Sequence, residues 1–205
     1  MNQDERELEV KFLLANMPAL ERKLQSLGAS LVAKRTFESN LRFDWPNGSL
    51  SKAGQALRLR HDENNILTFK GAASDQQGVL SRQEIEFKVS NYEAARHFLE
   101  ALGFQVTVAY EKRRTTYAFE GVEIMLDEMP FGNFCEVEGA DPAVIQAVAI
   151  KLGLSWEERA LSSYLMIFAQ LRGKLRLNIR DLTFVNFRGI TVENGDLGLA
   201  YADLS

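Results

Sequence analysis

The chain has one cysteine among its 205 residues, Cys135, so it can form no internal disulfide and a reducing, cytoplasmic setting is expected. It has two histidines, His61 and His97, and neither has a partner at metal-ligand spacing. No Ser-His or Cys-His arrangement supports a nucleophilic enzyme. No run reaches the ~18 apolar residues that would cross a bilayer as a helix, so no membrane association is expected. The opening residues show no basic segment followed by an apolar stretch, and no secretory leader is expected. Neither GxxxxGK[ST] nor GxGxxG follows a strand, which removes the P-loop and dinucleotide folds. Net charge is −4, so the chain lacks the cationic surface that a nucleic acid polymer requires.

The remaining composition, 46% hydrophobic and 25% charged, is that of a folded protein. The length suits one sizeable domain with an appendage, divided as 1–171 and 172–205. Period-two patterns predict strands over 5–14, 56–62, 66–71 and 80–89, with further strands over 30–45, 104–119, 122–128 and 133–138. Helical spacing predicts helices over 17–27, 91–102, 142–152 and 158–171. Residues 72–79 read as a polar loop. Strand, helix, strands recurs in both halves as a loose repeat. The segment 172–205 opens on Arg172, Lys174, Arg176 and Arg180 and reads as a small β-like appendage with a turn at Asn194-Gly195.

The strands carry the chemical signal. A half-buried strand has one apolar and one polar face. Here the polar faces are almost wholly charged. Glu7, Glu9 and Lys11 share one face, with Leu8, Val10 and Phe12 opposite. Arg58 and Arg60 share another, with Lys70 ending the partner strand. Glu84, Glu86 and Lys88 repeat the first pattern. Lys112 and Arg114 are two apart, as are Glu136 and Glu138, while Glu123 and Asp127 share a face. For any one strand a solvated charged surface is the simplest account, and cross-strand pairs are another. Taken together, basic and acidic doublets are segregated by strand. A barrel with apolar faces turned out to helices and charged faces turned in would fit this pattern. Its basic strands would hold polyphosphate oxygens, and its acidic strands would hold hard divalent cations.

ELEVK at 7–11, followed in order by ALRLR at 56–60, LTFK at 67–70, EIE at 84–86, EKRR at 111–114, LDE at 126–128 and EVEG at 136–139, resembles the CYTH family. That family joins class IV adenylyl cyclases, thiamine triphosphatases and inorganic triphosphatases. SSYLMIF at 162–168 is similar to its closing helix. The resemblance implies an α+β fold, an eight-stranded antiparallel β-barrel or tunnel with helices packed outside, often as a homodimer. It implies that Arg58, Arg60, Lys70, Lys112 and Arg114 contact a small-molecule triphosphate, with Lys11 at the mouth of the same site. Lys11, Lys112 and Arg114 would act in catalysis. Glu7, Glu9, Asp127, Glu136 and Glu138, with Glu84 for a second ion, would hold Mg²⁺ or Mn²⁺. Lys88 and Arg113 would be structural.

One departure stands out: Arg42-Phe43-Asp44 occupies the place of the family's Tyr-Phe-Asp. Three functions stay open. The first is a metal-dependent triphosphatase. The second is a class IV adenylyl cyclase, which needs an adenine pocket that the sequence does not reveal. The third is a polyphosphate-binding module without turnover, which would favour a purely basic tunnel.

Overall fold

The computed structural model describes residues 6–193 and 195–204. Glu5, at the start of the first expected strand, and Asn194 of the expected turn lie outside the described residues. The elements in order are β1 (Arg6–Leu14), α1 (Met17–Ser26), β2 (Ser30–Asp44), α2 (Ser49–Lys52), β3 (Ala56–His61), β4 (Asn65–Lys70), β5 (Ser74–Gln76) and β6 (Val79–Lys88). Then come α3 (Tyr92–Ala101), β7 (Gln105–Phe119), β8 (Val122–Met129), β9 (Gly132–Gly139), α4 (Pro142–Lys151), a 3₁₀ turn (Trp156–Glu158), β10 (Arg159–Ala160) and α5 (Tyr164–Leu175).

Eight strands pair antiparallel in the order β1, β9, β8, β7, β2, β3, β4, β6, and β6 returns to β1. The closing rungs are Glu7 opposite Arg82 and Glu9 opposite Leu80. On its other side β1 lies along β9, with Glu9 opposite Glu138 and Lys11 opposite Glu136. A ring of this kind leaves no open sheet edge among its members. Because side chains alternate between faces, one residue parity on each strand faces the enclosed space.

The other parity builds the core against the helices. Leu8, Val10 and Phe12 pack with Leu20 and Leu24 of α1 and with Ile145, Val148 and Ala149 of α4. Phe43, Leu57 and Leu59 pack with Leu99 of α3. Each such side chain contributes roughly 1.5–3 kcal/mol by leaving water, which ties the outward parity to the helices and sends the charged parity inward. The helices start on local signals. Asn16, Asn91 and Asp141 each accept a backbone N–H from the first turn of α1, α3 and α4, satisfying a group that the helix itself leaves open. Gly28, at φ 81°, turns the chain out of α1 into β2.

Three sequence expectations change. The last helix begins at Tyr164 rather than 158, because the Ser163 side chain caps it and Arg159 and Ala160 pair with β1. The polar loop 72–79 contains β5, which pairs with β6. The segment after α5 forms no named strand among the described residues and touches the sheet through isolated bridges, Tyr110 with Leu182 and Leu13 with Tyr201. Its apolar residues pack from turns instead. Leu182, Phe187 and Leu197 join Tyr164, Ile167, Phe168 and Leu171 of α5 in one cluster against Leu13, Tyr110 and Phe134. Asp203 then accepts the N–H groups of Ala15 and Asn16, both at 2.8 Å, tying the far end of the segment to the start of α1.

Candidate functional site

The ring encloses a cavity of about 570 Å³, lined mainly by charged side chains. Every sequence-chosen basic residue lines it: Lys11, Arg58, Arg60, Lys70, Lys112 and Arg114. So do Glu7, Glu9, Glu84, Glu136 and Glu138. Asp127 stands behind this wall. It is fully enclosed and does not line the cavity. It accepts hydrogen bonds from Lys112 at 3.2 Å, from Arg114 and from the Tyr164 hydroxyl at 2.9 Å, which fixes those three groups in place.

Acid and base interlock. Lys70 Nζ donates to both oxygens of Glu7, at 2.7 and 2.6 Å, and approaches Glu84 at 3.1 Å. Arg82 donates to Glu7 at 3.1 Å and to Glu9 at 2.6 Å. Lys11 lies 2.9 Å from Glu9 and 3.2 Å from Glu136. Arg114 also pairs with Glu136. Arg58 donates to Thr68 at 3.1 Å and to Glu86 at 3.3 Å, and Arg60 pairs with Asp62 at 3.0 Å and Glu86 at 3.5 Å. The Nζ atoms of Lys11 and Lys112 stand over the ring of Tyr164, 5.5 and 5.8 Å from its centroid.

The electrostatics are uneven. Burial alone would raise Glu38, but Lys112, Arg114, Arg60 and Arg58 outweigh it and bring its carboxyl down to about 2. At the acidic side the balance reverses. Burial, with the charges of Glu7, Glu9 and Glu84, pushes Glu138 up to about 8. Burial and a hydrogen bond shared with Glu7 push Glu84 up to about 7. Glu7 itself lies below the usual carboxylate range, because Lys70 and Arg82 overcome its burial. Repulsion that keeps carboxyls protonated near neutrality is what a divalent cation relieves, so the oxygen donor set fits a hard metal ion. Among the described residues no three His, Cys, Asp or Glu side chains already enclose an ion. The carboxylates are instead held by lysine and arginine, and ion binding there requires those pairs to rearrange.

Several lining residues were not singled out from sequence. Glu38, Arg82 and Tyr110 all face the cavity. Arg82 has the parity of Glu84 and Glu86, and Tyr110 that of Lys112 and Arg114, so the same alternation that found their neighbours could have found them. Tyr164 opens α5 and carried no strand parity to mark it. His61 is exposed and bonded to Asn65 at 2.7 Å, and His97 is exposed on α3. Neither lines the cavity. Arg113 stacks on Phe184, 3.9 Å from the ring centre. Cys135 is fully buried, and burial raises its thiol pKa.

The chain matches the CYTH domain over residues 5–155. A Methanocaldococcus jannaschii protein named as a candidate adenylate cyclase is 28% identical over 134 residues, which is 64% of this chain and 75% of that protein. A solved Vibrio parahaemolyticus structure under a similar name shares the fold with TM-score 0.73, at 22% identity, over 82% of this chain and 99% of its own. A Hippeastrum protein, described as an adenylyl cyclase candidate with a dominant triphosphatase activity, shares it with TM-score 0.59, at 20% identity, over 80% and 95%.

Proposed function

The chain belongs to the CYTH family, and we propose that it is a metal-dependent hydrolase of a triphosphate substrate. The observation that carries this is the lining of the cavity, in which basic and acidic side chains alternate around about 570 Å³. A triphosphate needs many cationic donors at short range, and a metal that shares its oxygens needs carboxylates beside them. Both are supplied by the lining of one cavity.

The residue roles follow from placement. Arg58, Arg60, Lys70 and Arg114 offer donors to phosphate oxygens. Lys11 and Lys112, backed by Tyr164, concentrate charge where it develops as a P–O bond breaks. Glu7, Glu9, Glu84, Glu136 and Glu138 would hold Mg²⁺ or Mn²⁺, with Asp127 steadying Lys112 and Arg114 from behind. The bound ion would neutralise phosphate charge and acidify a water. Burial and the neighbouring carboxylates push Glu138 up to about 8, and a cation bound beside it would release its proton. A reducing cytoplasm and a homodimer complete the reading, and sedimentation of the purified chain tests the dimer.

A class IV adenylyl cyclase is the second reading, and the name of the Methanocaldococcus jannaschii relative favours it. That chemistry needs a surface to read adenine. The aromatic rings that line the cavity are Tyr110 and Tyr164. Both rings are buried, and Tyr164 lies beneath the two lysines and donates to Asp127. Neither ring is left open to stack on a base, which favours hydrolysis. Products from tripolyphosphate, thiamine triphosphate and ATP under Mg²⁺ and Mn²⁺ decide between them. Orthophosphate release is the expected outcome. Cyclic AMP with pyrophosphate from ATP would replace this reading with the cyclase, and binding without turnover of any substrate would replace both.

A further inference from the structure

Arg42 breaks the rule that governs the rest of the cavity. The other enclosed cations of the lining (Lys11, Arg58, Arg60, Lys70, Arg82, Lys112 and Arg114) each have a carboxylate within ion-pair distance. Arg42 lines the same space and has no ion pair among the described residues. Its Nε is buried without a hydrogen-bond partner. Asp44, two residues along β2, is already engaged. Its oxygens accept from the N–H groups of Trp45, Leu50 and Ser51 and from the Ser51 hydroxyl, at 2.6–2.9 Å. Tyr110, the other side chain that draws on Arg42, offers a phenol hydroxyl and not a carboxylate.

The register places this orphan at one end of the cavity. Moving along β2, Thr36 faces Arg114, Glu38 faces Lys112, Asn40 faces Tyr110 and Arg42 faces Val108. The polar line on β7 therefore stops one rung before Arg42. On the other side Arg42 lies opposite Arg58 of β3. Two guanidiniums on one rung repel each other, and the charges of Arg58 and Arg82 add to burial in depressing the pKa of Arg42. The next inward rung repeats the pattern. Asn40 is fully enclosed, and neither its amide nitrogen nor its amide oxygen has a hydrogen-bond partner. Leaving a buried donor unmade costs free energy, more so when it is charged. Such a cost is tolerated where a ligand removes it.

We propose that Arg42, opposite Arg58, forms a phosphoryl subsite at this end of the tunnel, so that the favoured substrate is a linear polyphosphate whose unsubstituted terminal group lies against both guanidiniums. A terminal phosphoryl carries more charge and more free oxygens than an esterified one, and paired guanidiniums match that geometry. Val108, the rung partner of Arg42 on β7, adds no polar side chain there, and an organic substituent at this end would displace the anion from the two arginines that need it. The subsite rests on the triphosphate reading above and deepens it.

Calorimetric titration with inorganic tripolyphosphate under Mg²⁺ tests the subsite in the wild type, Arg42→Gln and Arg42→Lys. Losing a charge-assisted bond should weaken Arg42→Gln by about tenfold to a hundredfold, with partial recovery in Arg42→Lys. The thermal midpoint of unliganded Arg42→Gln should not fall, because the substitution removes an unpaired buried charge. Diadenosine triphosphate, capped at both ends, should bind the wild type at least about tenfold more weakly than tripolyphosphate. Unchanged affinity in Arg42→Gln, a loss that merely follows a lowered midpoint, or equal binding of the capped and free chains would overturn the subsite and leave the triphosphate reading standing. Wild-type protein that binds thiamine triphosphate or ATP but no tripolyphosphate would overturn the subsite alone, and binding of none of the three would overturn both.

Discussion

Lys70 Nζ donates to both carboxylate oxygens of Glu7, at 2.7 and 2.6 Å, from β4 across β6 to β1. The pair shows how the tunnel balances its charges: a residue proposed for phosphate is neutralised by one proposed for metal. On the proposed function, ligand and ion would arrive as a matched set, because either alone would leave half of a buried pair uncompensated.

Glu7→Gln separates the two roles. It removes a metal donor and frees Lys70 and Arg82 from a carboxylate. Hydrolysis of tripolyphosphate should fall by about a hundredfold, while tripolyphosphate affinity measured in chelator should hold or rise. Equal losses in turnover and metal-free affinity would contradict the division of roles.

Tyr164→Phe removes one hydrogen bond to the enclosed Asp127 and keeps the ring under Lys11 and Lys112. A bond to a charged acceptor contributes about 1.5–3 kcal/mol, and chemical denaturation should show a loss of that order. Tyr164→Leu also removes the ring. Its tripolyphosphate affinity should fall below that of Tyr164→Phe by several-fold, from a cation–π contribution of about 0.5–2 kcal/mol.

The acidic side sets the pH dependence of the unliganded protein. Glu138 and Glu84 are raised to about 8 and about 7 in the fold, against an ordinary 4.5. A raised carboxyl binds its proton more tightly folded than unfolded. Its stabilising share is full below about pH 4.5 and is lost as pH rises through 7 and 8. In chelator, stability should decline from pH 6 to pH 9, by at most about 1.4 kcal/mol per pH unit for each group. Glu138→Gln should flatten the slope. A rise in stability over that window would contradict the sign.

The C-terminal segment is anchored at the other side of the molecule. Asp203→Ala leaves the N–H groups of Ala15 and Asn16 without their acceptor at the entry to α1. A cap of this kind contributes about 0.5–2 kcal/mol, which urea denaturation resolves, and turnover per folded molecule should stay unchanged.

Much of the site was legible because burial and charge share a period of two. Leu8, Val10 and Phe12 had to face helices, so Glu7, Glu9 and Lys11 had to face one another's partners. The rule failed where the period is broken. β2 shifts register between Leu31 and Ala33, between Ala33 and Thr36 and again after Arg42, so the inward parity of its ends cannot be carried to Glu38, whose unbroken stretch from Thr36 to Arg42 mixes charged and uncharged residues on the inward face. Tyr164 reaches the tunnel from a helix start, where strand parity says nothing. The segment after α5 is rich in β-branched and aromatic residues, yet glycines at 189, 195 and 198 take positive φ and Arg176 ends α5 left-handed. The chain there turns too often to pair, and its apolar residues pack one by one onto α5.

On the proposed function, the charged lining of the ring holds and hydrolyses a triphosphate through metal. Orthophosphate release from tripolyphosphate under Mg²⁺, measured for wild type, Glu9→Gln and the exposed α3 variant Glu100→Gln, tests it most directly. The expected result is turnover by wild type and Glu100→Gln alike, with a loss of about a hundredfold in Glu9→Gln. Undiminished turnover in folded Glu9→Gln would contradict it.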